Sequence, residues 1–413
     1  VDFWNNIAVI LSLAALFAYI NERWLRLSVT IGIMFLALLF SLLLVVLQQL
    51  GWDLAIPARQ LLERVNFDKT VLHGMVGFLL FAGALSLDVG RLRQNFWVVG
   101  VLATVGTILS TLIVGTAVYV LLPLLGMSLG WWDCLLFGAL ISPTDPVAVL
   151  SILRKAHAPV DLEMQIAGES LFNDGVGLTL FLLLSQISLH QVSGSQNPEQ
   201  QHALLLFLQE AGGGILFGAV LGISVYALMR GIRDHRVVIL MFLAVASGGF
   251  ALAEQLQVSG ALSMVVAGLI LGHDGRHYRN LSGNARNRVE LFWELVDELL
   301  NTLLFMLLGL EFLLVFKLEN VWPILAAIPI VIAARFSSVS LPWVILRHYC
   351  RFDRGALAVM TWGGLRGGVA VALALSLPAG EARDAIVAMT YGVVIFSILV
   401  QGTTVRWVVK HYE

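Results

Sequence analysis

The sequence predicts an all-α polytopic membrane protein with 13 transmembrane helices, and three observations carry that reading. Of its 413 residues, 59% are hydrophobic and only 13% charged, where an average soluble domain carries about 25% charge. With a mean hydropathy of +0.88, so little charge cannot coat a 45.1 kDa globule in water. Apolar runs near the length needed to cross a bilayer, about 20 residues, recur along the whole chain. The basic residues between those runs fall mainly on one side. A soluble enzyme and a nucleic-acid binder are thereby excluded, and the net charge of -2 gives no reason to expect a polyanionic partner. Barrel strands would read as alternating segments of about ten residues, and that pattern is absent. Cys134 and Cys350 lie far apart, so neither a disulfide framework nor a metal knuckle is indicated.

Span 1, 3–20, stops at Asn21-Glu22-Arg23 and lacks a basic segment before it, so it reads as a span and not as a signal peptide. Span 2 covers 27–49, and Arg59, Arg64 and Lys69 separate it from span 3 at 70–87. Arg91 and Arg93 precede span 4 at 96–122. Span 5, 131–153, ends at Arg154-Lys155, and span 6 covers 162–187. The polar stretch 188–201 leads to span 7 at 202–229. Arg230, Arg233 and Arg236 precede span 8 at 236–255, and span 9, 258–272, is short for a full crossing. A polar stretch over 273–288 leads to span 10 at 289–316, which Lys317 closes. Arg347, Arg351 and Arg354 separate span 11 (319–346) from span 12 (353–378), and Arg383 precedes span 13 at 384–409. Alternate loops then hold 18 and 5 basic residues. The positive-inside rule places the N-terminus outside and the C-terminus in the cytoplasm, in a plasma (inner) membrane. The two basic residues left over, Arg335 and Arg366, lie inside spans.

Deep intramembrane charge costs at least about 2.5–3.5 kcal/mol per residue, so such groups face the bundle interior or a water-filled cavity. The deep candidates are Asp145, Glu169, Asp174, Arg335 and Arg366. Glu254, Glu294, Asp297, Glu298 and Glu311 lie nearer span ends and are expected to see the interface. Three acids against two bases leave one carboxylate without a fixed partner, a natural site for a cation or a proton. Asp145 sits in Ser142-Pro143-Thr144-Asp145-Pro146, where two prolines three apart must break span 5. Trp362-Gly363-Gly364-Leu365-Arg366-Gly367-Gly368 interrupts span 12. Breaks seven spans apart suit two six-helix repeats joined by span 7, and paired breaks point to a transporter's binding site. Asp145 can offset the positive ends of the half-helices and Arg366 the negative ends. In span 6, Ser170 and Asp174 share a face of oxygen ligands suited to Na+, while Glu169 and Asn173 share the neighbouring face. Glu169 is expected to pair with Arg335 as a structural clamp. A lone Asp174 taking either one proton or one monovalent ion gives one-for-one, electroneutral exchange.

These residues are where a resemblance enters. Gly168-Glu169-Ser170-Leu171-Phe172-Asn173-Asp174-Gly175, the two interrupted motifs, Phe305-Met306-Leu307-Leu308-Gly309-Leu310 and Arg335 stand in one order over nearly the whole chain. Together they resemble NhaP-type sodium/proton antiporters and their eukaryotic exchanger relatives, the first family of monovalent cation:proton antiporters. The resemblance implies the sodium/proton antiporter fold, two inverted six-helix repeats with discontinuous crossing helices. It implies a mobile core over 96–187 and 319–409, a dimerisation scaffold over 3–87 and 202–316, a homodimer, and alternating access. It implies that Asp174 binds the cation and the proton. Ser170 and the Thr144 carbonyl complete the Na+ shell with Asp145 nearby, and Asn173 steadies the site. Asn at 173 goes with the electroneutral branch. The chain lacks the long cytoplasmic tail of the eukaryotic members, so partners of such a tail are not expected and a prokaryotic source is.

The partners expected are monovalent cations, protons, lipid and a second copy of the chain, with no nucleic acid, no cofactor and no catalytic residues. A K+/H+ antiporter of the same fold remains the alternative, because nothing in Ser170, Thr144 or Asp174 sets a cavity size. An intramembrane hydrolase is remote: GxGD, GxSG and HExxH are all missing. A channel is disfavoured by the absence of a carbonyl filter or acidic rings. Gly214, Gly218 and Gly222 form a small-residue stripe for helix packing, read as a contact within the protomer. His273 and His277 lie in a basic loop as candidate pH sensors. Trp24, Trp52, Trp131, Trp132 and Trp322 suit an interfacial belt.

Overall fold

A computed structural model describes residues 2–51, 55–155, 158–192, 203–272, 283–315, 321–346 and 355–412. The described elements are helical, and the β-type contact among them is an isolated bridge between Asp145 and Leu365. Ten helices are long and apolar enough to cross a membrane. The three further spans fall short for reasons visible in the sequence. Span 5 divides into 5a, Trp131–Ile141, and 5b, Val147–Lys155. Span 12 divides into 12a, Ala356–Trp362, and 12b, Gly368–Leu375. Span 9 is the single short helix Gly260–Gly272. Thirteen spans among the described residues agree with the sequence reading. Because spans 5 and 12 are seven apart, an odd number, they cross the bilayer in opposite directions. The two repeats are therefore inverted.

One helix was not foreseen. Ala55–Val65 lies between spans 2 and 3, and its mixture of apolar residues with Arg59, Glu63 and Arg64 fails any test for an apolar run. Several spans also carry a wide π-helical turn, among them Asn21–Leu25 in span 1 and Ser397–Gln401 in span 13. No apolar periodicity signals such a turn in advance.

Close packing comes from small residues, since lipid supplies no hydrophobic drive between helices. A Cβ at Gly214 would stand 2.6 Å from the Ser259 carbonyl oxygen, and one at Gly222 would stand 3.2 Å from Ala267 Cα. The Gly214, Gly218, Gly222 stripe thus seats span 7 on span 9 inside one protomer. Gly309 seats span 10 on span 2, and Ser41 Oγ donates across that contact to the Gly309 and Leu310 carbonyls at 3.1 and 3.2 Å. The most extensive helix contacts fall into two sets, joined by smaller ones of span 6 with spans 7 and 9 and of span 10 with 12b and 13. Spans 2 and 10, 3 and 9, and 7 and 9 pack together; so do 4 and 5, 5 and 6, 4 and 11, 11 and 13, and 12b and 13. Trp24 and Trp322 are both 69% exposed, as an interfacial belt requires. Trp52, His273 and His277 lie outside the described residues.

Candidate functional site

The two broken helices meet at their breaks. Pro143 and Pro146 leave Pro143–Asp145 outside both half-helices, and the Asp145 N–H donates instead to the Leu365 carbonyl at 2.7 Å. Glycine makes the crossing close: a Cβ at Gly367 would stand 2.8 Å from Asp145 Oδ2. Asp145 Oδ1 accepts from the Val147 N–H at 2.9 Å, so the carboxylate caps the start of 5b and lies against the start of 12b. Arg366 serves the opposite ends. Its buried guanidinium donates through Nη1 to the carbonyls of Ser142 and of Pro143, the latter at 2.9 Å, beyond the end of 5a. Each charge thus stands against helix ends of opposite polarity.

Span 6, Val160–Val192, holds the break in place. Asn173 Oδ1 accepts from the Thr144 N–H at 3.3 Å, and Asn173 Nδ2 donates to Thr144 Oγ1 at 3.0 Å. That hydroxyl also lies 2.9 Å from Ser170 Oγ. Glu169, on the neighbouring face, accepts from both terminal nitrogens of Arg335, with Nη2 at 2.9 Å from Oε2. Arg335 Nε and Nη2 also donate to the Met360 carbonyl at 3.2 and 3.1 Å, so one guanidinium ties spans 6 and 11 to the end of 12a. A methyl at Gly364 would stand 2.5 Å from Arg335 Nε. Overpacking of this kind costs about 1–3 kcal/mol, and Gly364→Ala is expected to lower the melting temperature of the purified protein by several degrees. Unchanged melting would contradict this packing.

A cavity of about 1370 Å3 reaches this crossing. Thr144, Asp145 and Asp174 line its deep part, with Ser170 buried one turn before Asp174. Its mouth carries Arg91, Arg154, Glu163 and Arg286, all at the ends facing the arginine-rich loops. Span 10, Gly283–Val315, also lines the cavity, with Glu290, Glu294, Asp297 and Asn301 at helical spacing on one face. Asn301 is 4% exposed, and its Nδ2 donates to the Asp297 carbonyl at 2.9 Å and to Asp297 Oδ1 at 3.1 Å.

Three sequence expectations need correction. Asp297 lines the cavity instead of the interface, and Glu311 is only 6% exposed. The helix starts at Gly283, so Asp297 lies deeper than its distance from Val289 implies, and the spacing from Glu290 to Asn301 is the available signal. Glu311 does lie near the helix end at Val315 but is covered by neighbouring helices. The charge balance also shifts. Arg366 is occupied by carbonyls, so among the described residues both Asp145 and Asp174 face the cavity without an ion-pair partner, not one acid alone.

Residues 11–411 match the family model described as "Sodium/hydrogen exchanger, transmembrane". The chain is 44% identical over 410 residues to the Na(+)/H(+) antiporter NhaP of Pseudomonas aeruginosa, covering 98% of this chain and 96% of that one. It is 33% identical to the Na(+)/H(+) antiporter NhaH of Halobacillus dabanensis over 85% of each chain. Its fold matches the sodium proton antiporter MjNhaP1 from Methanocaldococcus jannaschii, solved at pH 8, with a TM-score of 0.73 and 19% identity. That match covers 100% of this chain and 99% of the other. The chain belongs to the transmembrane sodium/hydrogen exchanger family.

Proposed function

We propose that this protein is a secondary transporter that exchanges Na+ or Li+ for H+, one for one and electroneutrally, with cation and proton competing for Asp174. The observation that carries the reading is the position of that carboxylate. It borders a wide cavity, has no ion-pair partner among the described residues, and sits one helical turn from Ser170 and beside Thr144. Ser170, Thr144 and Asp145 near it offer hard oxygen ligands, which suit a small monovalent cation. The names of the relatives in bacteria support Na+ as the cargo.

In this reading the Ser170 hydroxyl, the Thr144 carbonyl and Asp174 hold the cation, Asp145 adds charge beside them, and Asn173 fixes Thr144. Spans 4–6 and 11–13, 96–187 and 319–409, form the moving core, and 3–87 with 202–316 form a scaffold that pairs two copies. The most extensive helix contacts, which lie within each of these two groups, support that division. The arginine-rich loops support a cytoplasmic C-terminus in the inner membrane, and the cavity then opens to the cytoplasm. Alternating access requires the core to slide until the same site faces outward.

Competition fixes the pH dependence. A proton on Asp174 excludes the cation, so the apparent KM for Na+ rises as pH falls, approaching about tenfold per pH unit where the protonated form dominates. Vmax stays comparatively flat. Na+-dependent proton flux in proteoliposomes across a pH series tests this, and a KM independent of pH would overturn it. Asp297 supplies negative charge on the approach without touching the site. Asp297→Asn is therefore expected to raise KM about three- to tenfold with Vmax kept, as for the loss of charge in a focusing cleft. A change confined to Vmax would contradict that role.

A further inference from the structure

A second, small cavity lies beside the crossing and shares no lining residue with the large one. Arg335, Thr361, Gly364, Arg366 and Gln401 supply its polar lining, closed by apolar side chains of spans 11 and 13. Arg366 is 2% exposed, and while its Nη1 is engaged by two carbonyls, its Nη2 is buried without a hydrogen-bond partner. Thr361 Oγ1 is also buried and unpartnered. That is unusual for this chain: the hydroxyls of Thr390 and Thr404 each bond the carbonyl one turn back, at 2.7 and 2.6 Å. Gln401 is 5% exposed and ends the wide turn Ser397–Gln401, whose Ser397 Oγ accepts from the Arg366 N–H at 3.0 Å.

Two orphaned polar groups converging on one void call for a ligand, since leaving them unpaired in the interior is costly. The void offers about 10 Å3 for the centre of a water molecule, which is room for one water and too little for a larger anion. A buried water needs two to four polar partners, and Arg366, Thr361 and Gln401 provide three. We propose that this cavity is a binding site for a single water molecule held by Arg366 Nη2, Thr361 Oγ1 and the Gln401 amide, which makes Thr361 and Gln401 positioning residues for the cation site.

The link to transport is short. Arg366 Nη1 holds the carbonyls of Ser142 and Pro143, the two peptide groups immediately before Thr144. A guanidinium fixed at Nη2 by the water keeps that extended segment in register, and a guanidinium free to rotate does not. This second step rests on the reading of Thr144 as a cation ligand; the water site itself does not.

The test has two readouts. A density map sharp enough to show ordered water at other buried positions is expected to show one feature within hydrogen-bond reach of Arg366 Nη2 and Thr361 Oγ1. The isosteric Thr361→Val is expected to remove it. An empty cavity, an acyl chain, or bromide replacing the feature after soaking would overturn the site. In proteoliposomes, Thr361→Val is expected to raise the KM for Na+ about tenfold, as for loss of an outer-shell partner, with Vmax within twofold. Thr361→Ser, which keeps the hydroxyl, restores wild-type KM. An unchanged KM in Thr361→Val, or equal shifts in the Val and Ser variants, would overturn the positioning role. Should the wild-type protein exchange no Na+ at all, the proposed function falls, and the density alone decides the water site.

Discussion

Asp174→Asn is expected to reduce Na+-dependent proton flux to the level of empty liposomes while the protein still folds. The amide keeps the shape of the carboxylate but holds neither a transferable proton nor a charge to bind Na+. The same change relieves a desolvated charge bordering the cavity, so the melting temperature is expected to stay level or rise. Loss of transport and loss of fold are therefore separable here. Flux above background in Asp174→Asn, measured on protein whose melting is intact, would remove this residue from the centre of the mechanism. Asp174→Glu is expected to keep some flux with a raised KM, because the longer carboxylate still exchanges a proton but crowds Ser170 and Thr144.

The second large effect belongs to the Glu169–Arg335 pair, and it is one of stability. Both residues are buried, and Arg335 also carries two bonds to the Met360 carbonyl. Glu169→Gln leaves an uncompensated buried guanidinium, and breaking a buried pair this way costs about 3–5 kcal/mol. Arg335→Met leaves the lone carboxylate and is expected to cost a similar amount. The double variant Glu169→Gln with Arg335→Met is expected to melt above either single variant, because it leaves no unpaired charge. Thermal unfolding of the four proteins checks this cycle. Additive losses in the double variant would show that the two charges do not compensate each other.

Much of this architecture can be read before any coordinates. Thirteen spans follow from apolar runs because a bilayer imposes one length on every crossing helix. The two breaks follow from Pro143, Pro146 and the glycines of span 12, whose effects on backbone are local. The Glu169–Arg335 pairing follows from scarcity: with so few deep charges, a buried acid has few bases to meet. What escaped the sequence depends on rotation and packing. Ala55–Val65 is a helix too polar for a span yet anchored by the buried Leu62. Asp297 was placed by its distance from a span end, whereas the face it shares with Asn301 decides its surroundings. Arg366 is legible as the charge against the negative half-helix ends, but which carbonyls it holds, those of Ser142 and Pro143, depends on how the two breaks pack. The orphaned Nη2 of that same arginine has no sequence signature, since it depends on how three spans close around it.

In the proposed cycle one carboxylate carries one proton one way and one cation the other. The most direct measurement is the rate of Na+-driven proton movement in proteoliposomes with the membrane potential clamped at zero and at large values of either sign. Na+, Li+ and K+ serve in turn as the driving ion. A single shared Asp174 moves no net charge per cycle, so the steady rate with Na+ is expected to be the same at every potential. A rate or an equilibrium that shifts with the clamped potential would mean that net charge crosses in each cycle, and one-for-one exchange at Asp174 would be wrong.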